Sequence, residues 1–248
     1  MTRGASNSWM KDGDVMPYSR LVDTDQIQGN VTPGFRKDYQ AFLFVEFRSA
    51  EHGRKYMESL LNSISSARVV AEANADYLTR KRSGADPRTG LGADARLNLS
   101  FTAAGLTLLR PDWAGSIAAK APAFVEGLAK RAGSLVDQDT GNWVIGSADG
   151  PTVHAMLHIG ANNAAQGDRK IKELTTGPQG SGVTQVALLD GMTLGGGREH
   201  FGFRDAVSQP DPDDPTKRWE WDEKSPTVAP GELIGGYPDE TSGDQDVE

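Results

Sequence analysis

The sequence predicts an α+β domain in which helices pack on one face of a four-stranded antiparallel sheet. Segments of strand length alternate with segments of helical spacing, in the order strand, helix, strand, helices, strand, helix, strand. The 248 residues are 37% hydrophobic and 24% charged, a composition that supports a sizeable buried core. No window approaches the roughly 18 uninterrupted apolar residues of a membrane span, so we expect no membrane partner.

The first predicted strand is residues 40–47, QAFLFVEF, which carries apolar side chains at even and odd positions. Apolar character on both sides predicts a central strand that is covered on both faces. Residues 51–64 follow at helical spacing, with one apolar stripe made of Tyr56, Met57, Leu60, Leu61 and Ile64.

The second predicted strand, residues 97–101, leads into Thr102, which has the side chain of an N-cap for a short helix over 103–109. Pro122 predicts the start of another helix, with Phe124, Val125 and Leu128 on its apolar side and Gly133 at its end.

Residues 152–160 and 182–190 predict the third and fourth strands, with a helical segment around Lys170–Leu174 between them. The segment 80–96 is basic and rich in glycine, and we expect it to be an exposed loop.

The two histidines closest in sequence, His154 and His158, raise the question of a metal site. Four-residue spacing would place both on one face of a helix, but the alternating flanks favour a strand. On a strand they would share a face about 13 Å apart, too far for one ion to bridge. We therefore expect a sheet-face role and no metal ligands in this chain.

Composition excludes several further classes of site. The chain has no cysteine, which rules out disulfides, thiolate metal sites and thiol nucleophiles. The net charge of −8 argues against nucleic-acid binding, and the glycines at 195–197 lack the lysine of a phosphate loop. The amino terminus has no apolar signal segment, and with the absence of cysteine this leads us to expect a cytoplasmic protein.

The negative charge is concentrated in residues 205–248, which hold thirteen acidic residues against three basic ones. The segment is rich in proline and has no helical or alternating period, which predicts extended chain, either solvated or ordered against another body. We divide the sequence into an amino-terminal arm (1–24), an α+β domain (25–204), an extended loop (205–240) and an acidic tail (241–248).

The segment 195–210, GGGREHFGFRDAVSQP, combines charged residues with flanking glycines directly after a predicted core strand. Glycines let the backbone approach a ligand closely, and a carboxylate in such a loop is a common general base. From the residues alone, a functional loop and an exposed turn are equally good interpretations.

The stretch EHFGFRDAVSQP resembles the distal-site motif of the dye-decolourising peroxidase family, in which Gly-x-x-Asp-Gly supplies the catalytic aspartate. Three further stretches resemble the family in order and spacing: 27–47, 97–109 and 230–240. The resemblance covers about residues 25–240, and four ordered motifs make coincidence improbable.

The resemblance implies a ferredoxin-like domain that pairs with a second one, with haem b held between them. The proximal histidine and the distal arginine of the family belong to the second half, and none of the four histidines here occupies the proximal position. Ala206 stands where the motif has glycine, and its methyl group would either crowd the distal pocket or be absorbed by a backbone shift.

By similarity, Asp205 would be the catalytic acid and base, taking a proton from hydrogen peroxide bound at the haem and returning it to the outer oxygen. Because an aspartate is ionised in mildly acidic solution, activity should favour acid. Arg204 would face a haem propionate or an acidic neighbour. The residues lining the distal side of the haem would be Phe203, Arg204, Ala206, Val207, Ser208 and Gln209.

Three interpretations follow from this resemblance. The leading one is the amino-terminal half of a split peroxidase, in which a second protein chain supplies the proximal histidine and an unidentified reductant is oxidised; a subunit of a larger assembly fits equally well. The main alternative is a haem-free binding or scaffolding subunit with the same fold, favoured by Ala206. The third is a fragment of an ordinary full-length enzyme.

Overall fold

A computed structural model describes most of the chain, in two compact units. The sheet unit comprises Arg36–Ile64 and Ala93–Met192, and the helix unit comprises Met1–Phe35, Ser65–Gly92 and Thr193–Glu248. The described residues are 23–137, 139–176, 180, 182–194, 198–203, 211–212, 227–235 and 237. The strands are β1 (Tyr39–Phe47), β2 (Arg96–Phe101), β3 (Ala155–Ala161), β4 (Val183–Met192), β5 (Asp211–Pro212) and β6 (Thr227–Val228). The helices are α1 (Ala50–Leu60), α2 (Ala67–Ser83), α3 (Ala103–Leu109), α4 (Ala114–Lys120), α5 (Pro122–Glu126), α6 (Leu128–Arg131) and α7 (Ala164–Thr175).

The sheet unit contains the predicted four-stranded sheet, in the order β2-β3-β1-β4, with every neighbouring pair antiparallel. Leu43 in β1 lies opposite Leu157 of β3 on one side and Leu188 of β4 on the other. The strand order and the two β-α-β connections are those of a ferredoxin-like fold. The α+β fold class is therefore confirmed, and so is the interior position of β1.

The two faces of β1 differ in burial. The odd positions from Tyr39 to Phe47 are buried, whereas the even positions between them are half-buried. Helices α1 and α7 pack on the odd face, where the hydroxyl of Tyr56 donates a hydrogen bond to the carbonyl of Leu174 at 3.1 Å. The prediction that both faces are fully covered is wrong for the even face. Helices α1 and α7 both pack on the odd face, which leaves the even positions half-buried.

Glycine permits the close approach of α7 to β1. A Cβ on Gly167 would lie 2.1 Å from Cε1 of Tyr39, well inside van der Waals contact. Because the Tyr39 ring is buried and rigid, the helix can approach the strand this closely only without a side chain at position 167.

Polar side chains cap the helices that follow β1, β2 and β3. Ser49, Thr102 and Asn163 each accept a hydrogen bond from a backbone N–H in the first turn of α1, α3 and α7. The N-cap role predicted for Thr102 is confirmed, with 3.0 Å between its hydroxyl and the amide of Gly105.

Two predicted helices end earlier than their apolar patterns indicate. The helix predicted over 51–64 ends as an α-helix at Leu60, and Leu61 is exposed rather than part of the buried stripe. The helix predicted from Pro122 is interrupted at Gly127, whose φ of 78° lies in the region that favours glycine. Phe124 and Val125 are consequently exposed.

The helix unit is organised by α2, a 17-residue helix that the apolar pattern did not indicate. Its buried positions are mostly small, so it has no stripe of large apolar residues. The first four residues of the predicted basic loop 80–96 belong to its last turn, and Gly84 ends it at φ 76°. A small core joins this helix to distant parts of the same unit: Ile27, Ala67, Ala71, Ile234 and Tyr237.

The carboxyl-terminal segment is described only in part. Its apolar residues Ile234 and Tyr237 pack in the core of the helix unit, so this part is ordered against its own chain. Strands β5 and β6 form a short parallel pair. The extended course predicted for the rest lies outside the described residues, and the division of the sequence into four segments stays a prediction. Among the described residues, no helix is long and apolar enough to cross a membrane.

Candidate functional site

The turn at residues 198–203 directly precedes the predicted catalytic position. The N–H of Glu199 donates to the carbonyl of Phe203 at 3.0 Å, and the N–H of Gly202 donates to the carbonyl of Glu199 at 2.9 Å. Gly202 has a φ of 93°, which only glycine adopts without strain. The conformation of this turn therefore explains why the first position of the Gly-x-x-Asp motif is glycine.

The carboxylate of Glu199 stabilises this turn from within. One oxygen accepts a hydrogen bond from the N–H of Phe201 and the other from the N–H of Phe203, both at 2.8 Å. The guanidinium of Arg198 donates to the carbonyl of Gly202 at 2.6 Å. Because both carboxylate oxygens bind backbone amides, Glu199 is a structural residue of the turn.

Two phenyl rings project from the same turn. Phe201 is 89% exposed and Phe203 is 74% exposed. Of the predicted haem-lining residues, Phe203 is thus placed on an open turn, close in sequence to the predicted base. The others lie outside the described residues: Arg204, Asp205, Ala206, Val207, Ser208 and Gln209.

A second candidate surface is the face of the sheet on which the even-numbered residues of β1 lie, which we call the even face. It is defined by Phe42, Phe44, Met156, His158 and Leu189. These residues occupy neighbouring positions on β1, β3 and β4. Phe42, Phe44 and Met156 are half-buried, and Leu189 on the edge strand is 46% exposed. The even face therefore presents apolar surface to a neighbour.

His158 is held in the middle of the even face. Its imidazole stacks on the ring of Phe42, with 4.7 Å between ring centroids, and its Nε2 is hydrogen-bonded to the side-chain oxygen of Gln40. Burial lowers its pKa, so the neutral ring is favoured.

His154 lies on the other side of the sheet, just before β3. Its Nδ1 accepts a hydrogen bond from the N–H of Phe47 at 2.9 Å, and its ring stacks on that of Phe47. Burial lowers its pKa, against a smaller opposing effect of Glu46. The prediction that His154 and His158 share a face is wrong, because the His154 ring contacts Phe47 of the odd face whereas the His158 ring contacts Phe42 of the even face.

Three of the four described histidines are engaged in local contacts. Besides His154 and His158, His52 is hydrogen-bonded through Nδ1 to the hydroxyl of Ser49 at 2.8 Å, and His200 is exposed on the turn. Across the part of the chain that the structure describes, no group of three or more histidine, aspartate or glutamate side chains could hold a metal ion.

The sequence profile of one protein family, the DyP dimeric alpha+beta barrel domain, matches residues 26–193. This range begins in the loop before β1 and ends one residue after β4. It therefore contains the whole sheet unit.

Characterised proteins with similar sequences are peroxidases. The dye-decolorizing peroxidase msp1 of Mycetinis scorodonius is 26% identical over 225 residues, which cover 89% of this chain and 40% of that protein. The multifunctional dye peroxidase DyP2 of Amycolatopsis is 28% identical over 194 residues, 75% of this chain and 37% of that protein. The chain thus spans about two fifths of the length of these relatives.

Solved structures of dye-decolorizing peroxidases have the same fold. One in complex with 2,6-dimethoxyphenol superposes with a TM-score of 0.65 at 24% identity, covering 92% of this chain and 47% of that one. The fungal enzyme from Auricularia auricula-judae superposes with a TM-score of 0.63 at 20% identity, covering 88% and 44%. In both cases, the match extends over less than half of the solved chain.

Proposed function

The chain belongs to the dye-decolourising peroxidase family, and we propose that it is one half of a split haem peroxidase that becomes active when a second protein chain supplies the other half. The observation that supports the proposal is the half-buried or exposed apolar surface on the even face of the family domain, which one of the partner's surfaces would cover. The substrates would be hydrogen peroxide and a reductant.

The even face supports the requirement for a partner. Its apolar side chains are half-buried or exposed in the chain alone, as are the rings of Phe201 and Phe203 on the turn. Surfaces of this kind are usually covered in the functional assembly. A second ferredoxin-like sheet carrying the proximal histidine is the partner that we propose.

Bound haem b would supply the redox-active iron that cleaves hydrogen peroxide and then accepts electrons from the reductant. This chain would contribute the distal wall, with Phe203, Ala206, Val207, Ser208 and Gln209 in contact with the porphyrin. Arg204 would interact with a propionate. The iron ligand would come from the partner chain, since His52, His154 and His158 are engaged in local contacts and His200 lies on the turn that precedes the proposed distal base.

The proposed role of Asp205 is proton transfer. Its carboxylate would accept a proton from the inner oxygen of peroxide and return it to the outer oxygen, which leaves as water. The turn at 198–203 ends two residues before Asp205 and is held by four hydrogen bonds involving Glu199, so it would present the carboxylate on a short, defined connection. An aspartate base remains ionised in mild acid, which predicts faster turnover there.

The test begins with the intact assembly, captured through a tag on this chain from its source organism. We expect a haem Soret band in the assembly and peroxide-dependent oxidation of 2,6-dimethoxyphenol. Asp205→Asn should leave the haem content nearly unchanged and slow peroxide cleavage by at least a hundredfold. Asp211→Asn, a control in the same acidic segment, should retain the parent rate.

Two results would overturn the proposal. An assembly without a Soret band would favour the alternative, a haem-free scaffolding subunit of the same fold, which Ala206 in place of the motif glycine already favours. Unchanged turnover in Asp205→Asn would remove that carboxylate from the mechanism. A cytoplasmic location is part of the proposal, and fractionation of cells that produce the tagged chain tests it.

A further inference from the structure

Both backbone groups of Phe203 are bound by a single residue, Glu199. The N–H of Phe203 donates to one carboxylate oxygen of Glu199 at 2.8 Å, and the carbonyl of Phe203 accepts from the backbone N–H of Glu199 at 3.0 Å. That carbonyl belongs to the peptide plane that also contains the nitrogen and the Cα of Arg204. Glu199 therefore fixes the peptide plane through which the chain enters Arg204.

Few degrees of freedom separate this plane from the proposed base. The Cα of Asp205 follows that of Arg204 by one peptide unit of about 3.8 Å, whose direction depends on the φ and ψ of Arg204. A base must lie within hydrogen-bond reach of the proton that it accepts, and a misplacement of about 1 Å can cost a hundredfold in rate. The position of the Asp205 carboxylate is therefore sensitive to the hydrogen bonds that Glu199 makes.

The hydrogen bonds of the Glu199 side chain require a carboxylate. Its second oxygen accepts from the N–H of Phe201 at 2.8 Å, so the two oxygens bind two different amides. A carboxylate only accepts hydrogen bonds, and its charge strengthens them. The amide group of glutamine has one accepting oxygen and one donating nitrogen, and the nitrogen would face a second N–H donor. Glutamine at position 199 can therefore hold one of these amides but not both.

Arg198 holds the preceding peptide of the same turn. Its guanidinium donates to the carbonyl of Gly202 at 2.6 Å. This bond fixes the peptide between Gly202 and Phe203, one unit farther from Asp205 than the plane held by Glu199. We expect Arg198 to have the same kind of effect on the position of Asp205, and a smaller one.

We propose that Glu199 is a positioning residue for peroxide cleavage, which holds the peptide that delivers the carboxylate of Asp205. Glu199 transfers no proton itself, because both of its oxygens are occupied by backbone amides. The inference rests on the proposed function and deepens it, since it makes the rate of proton transfer depend on a residue six positions before the base.

The experiment combines substitutions at the two positions in the captured assembly. Glu199→Gln should leave the haem content unchanged and slow peroxide cleavage, followed at the Soret band, by about tenfold. In an Asp205→Asn background, the same substitution should change the residual rate by less than about twofold, because no base is left to misplace. Glu58→Gln, the same chemical change at an exposed glutamate of α1, should retain the parent rate.

Hydrogen exchange of the isolated chain gives a readout that is independent of haem. In Glu199→Gln, the amides of Phe201 and Phe203 should exchange about tenfold faster than in the parent, with the midpoint of urea denaturation unchanged. If Glu199→Gln fails to fold, Arg198→Met replaces it. That variant should slow peroxide cleavage by about threefold, and its effect should also vanish in the Asp205→Asn background.

Equal slowing by Glu199→Gln in both backgrounds would overturn the inference, because a residue that acts through Asp205 cannot act when that carboxylate is absent. Faster amide exchange without slower peroxide cleavage would also overturn it, since the turn would then have no influence on the base. In both cases, slow cleavage in Asp205→Asn alone would leave the proposed function intact. If Asp205→Asn retains the parent rate, the proposed base and the inference fail together, so the two failures are distinguishable.

Discussion

The two faces of strand β1 present opposite situations within one nine-residue segment. The odd face is completed by the chain itself: Leu43 and Val45 are fully buried between the sheet and helices α1 and α7. The even face, with Phe42 and Phe44, remains half-buried. Since Phe42 and Phe44 are as apolar as Leu43 and Val45, the hydrophobicity of these residues alone does not distinguish a finished core from a surface that needs a partner.

Substitutions on the two faces of the sheet should have different effects, one on the stability of the isolated chain and the other on its assembly with a partner. Substitutions on the odd face should destabilise the isolated chain, because they disturb packing that is already complete. Substitutions on the even face should affect the isolated chain less and the proposed assembly more. Variants that differ only in the face they alter can test this distinction directly.

The largest expected difference in the free energy of unfolding is between variants of two adjacent residues of β3. Leu157→Ala removes a fully buried side chain from the odd face and should lower the free energy of unfolding by about 3 kcal/mol. Met156→Ala, on the half-buried even face, should lower it by about 1 kcal/mol. Urea denaturation of the isolated chain measures both, and equal losses would abolish the distinction between the faces.

A smaller difference in stability is expected between alanine substitutions at two glycines. Gly167→Ala places a methyl group 2.1 Å from the Tyr39 ring and should destabilise the chain by about 2 kcal/mol through displacement of α7. Gly191→Ala adds a methyl group in open space on β4 and should be neutral to within about 0.5 kcal/mol. Thermal unfolding compares the pair, and a harmless Gly167→Ala would mean that α7 is not packed tightly on β1.

Each face also holds one buried histidine, which predicts a moderate dependence of stability on pH. The folded-state pKa values of His154 and His158 are lowered by burial, whereas an unfolded histidine titrates near 6.5. The unfolded chain therefore takes up protons first, and stability should be full above pH 6.5 and decline as the pH falls below it.

Denaturation between pH 7.5 and 5.5 measures this decline. His154→Asn retains an acceptor for the N–H of Phe47 but cannot titrate, so its stability should fall less steeply over the same range. A parent protein whose stability rises as the pH is lowered would contradict the assigned direction for both histidines.

The smallest effect on stability is expected for Leu189→Ser on the edge strand. This residue is 46% exposed on the even face, and its replacement should change the free energy of unfolding by no more than about 0.5 kcal/mol. The same variant should recover less of the partner chain in the tagged pull-down. Leu61→Ser, an exposed leucine elsewhere in the sheet unit, is the control and should recover the parent amount.

The elements that the sequence indicated best were those with large apolar residues or clear end signals. The four strands were found by their apolar patterns, and the cap at Thr102 by residue type. Helix α2 was missed because its buried positions are mostly alanines that pack in a small separate core. Leu61 was misassigned because the helix ends as an α-helix at Leu60, which no local residue signals.

The candidate site shows the same division. The glycine at 202 and the motif around Asp205 were recognisable in the sequence, and the positive φ of Gly202 explains the first motif glycine. Glu199 was noticed as a charge, but its role in holding the turn depends on two backbone amides. The proximity of Lys37 and Arg96 was not predicted, because they are 59 positions apart and come close only where β1 and β2 both pair with β3.

The amino-acid sequence by itself determined the α+β class, the four strands and the family motifs, since periodicity, capping and glycine positions act over a few residues. Only the tertiary structure decided which face of β1 became the core, where the two buried histidines lie and which cations meet at the end of the sheet. Those features depend on contacts between residues far apart in the chain, and local preferences carry no information about which distant segments will pack together.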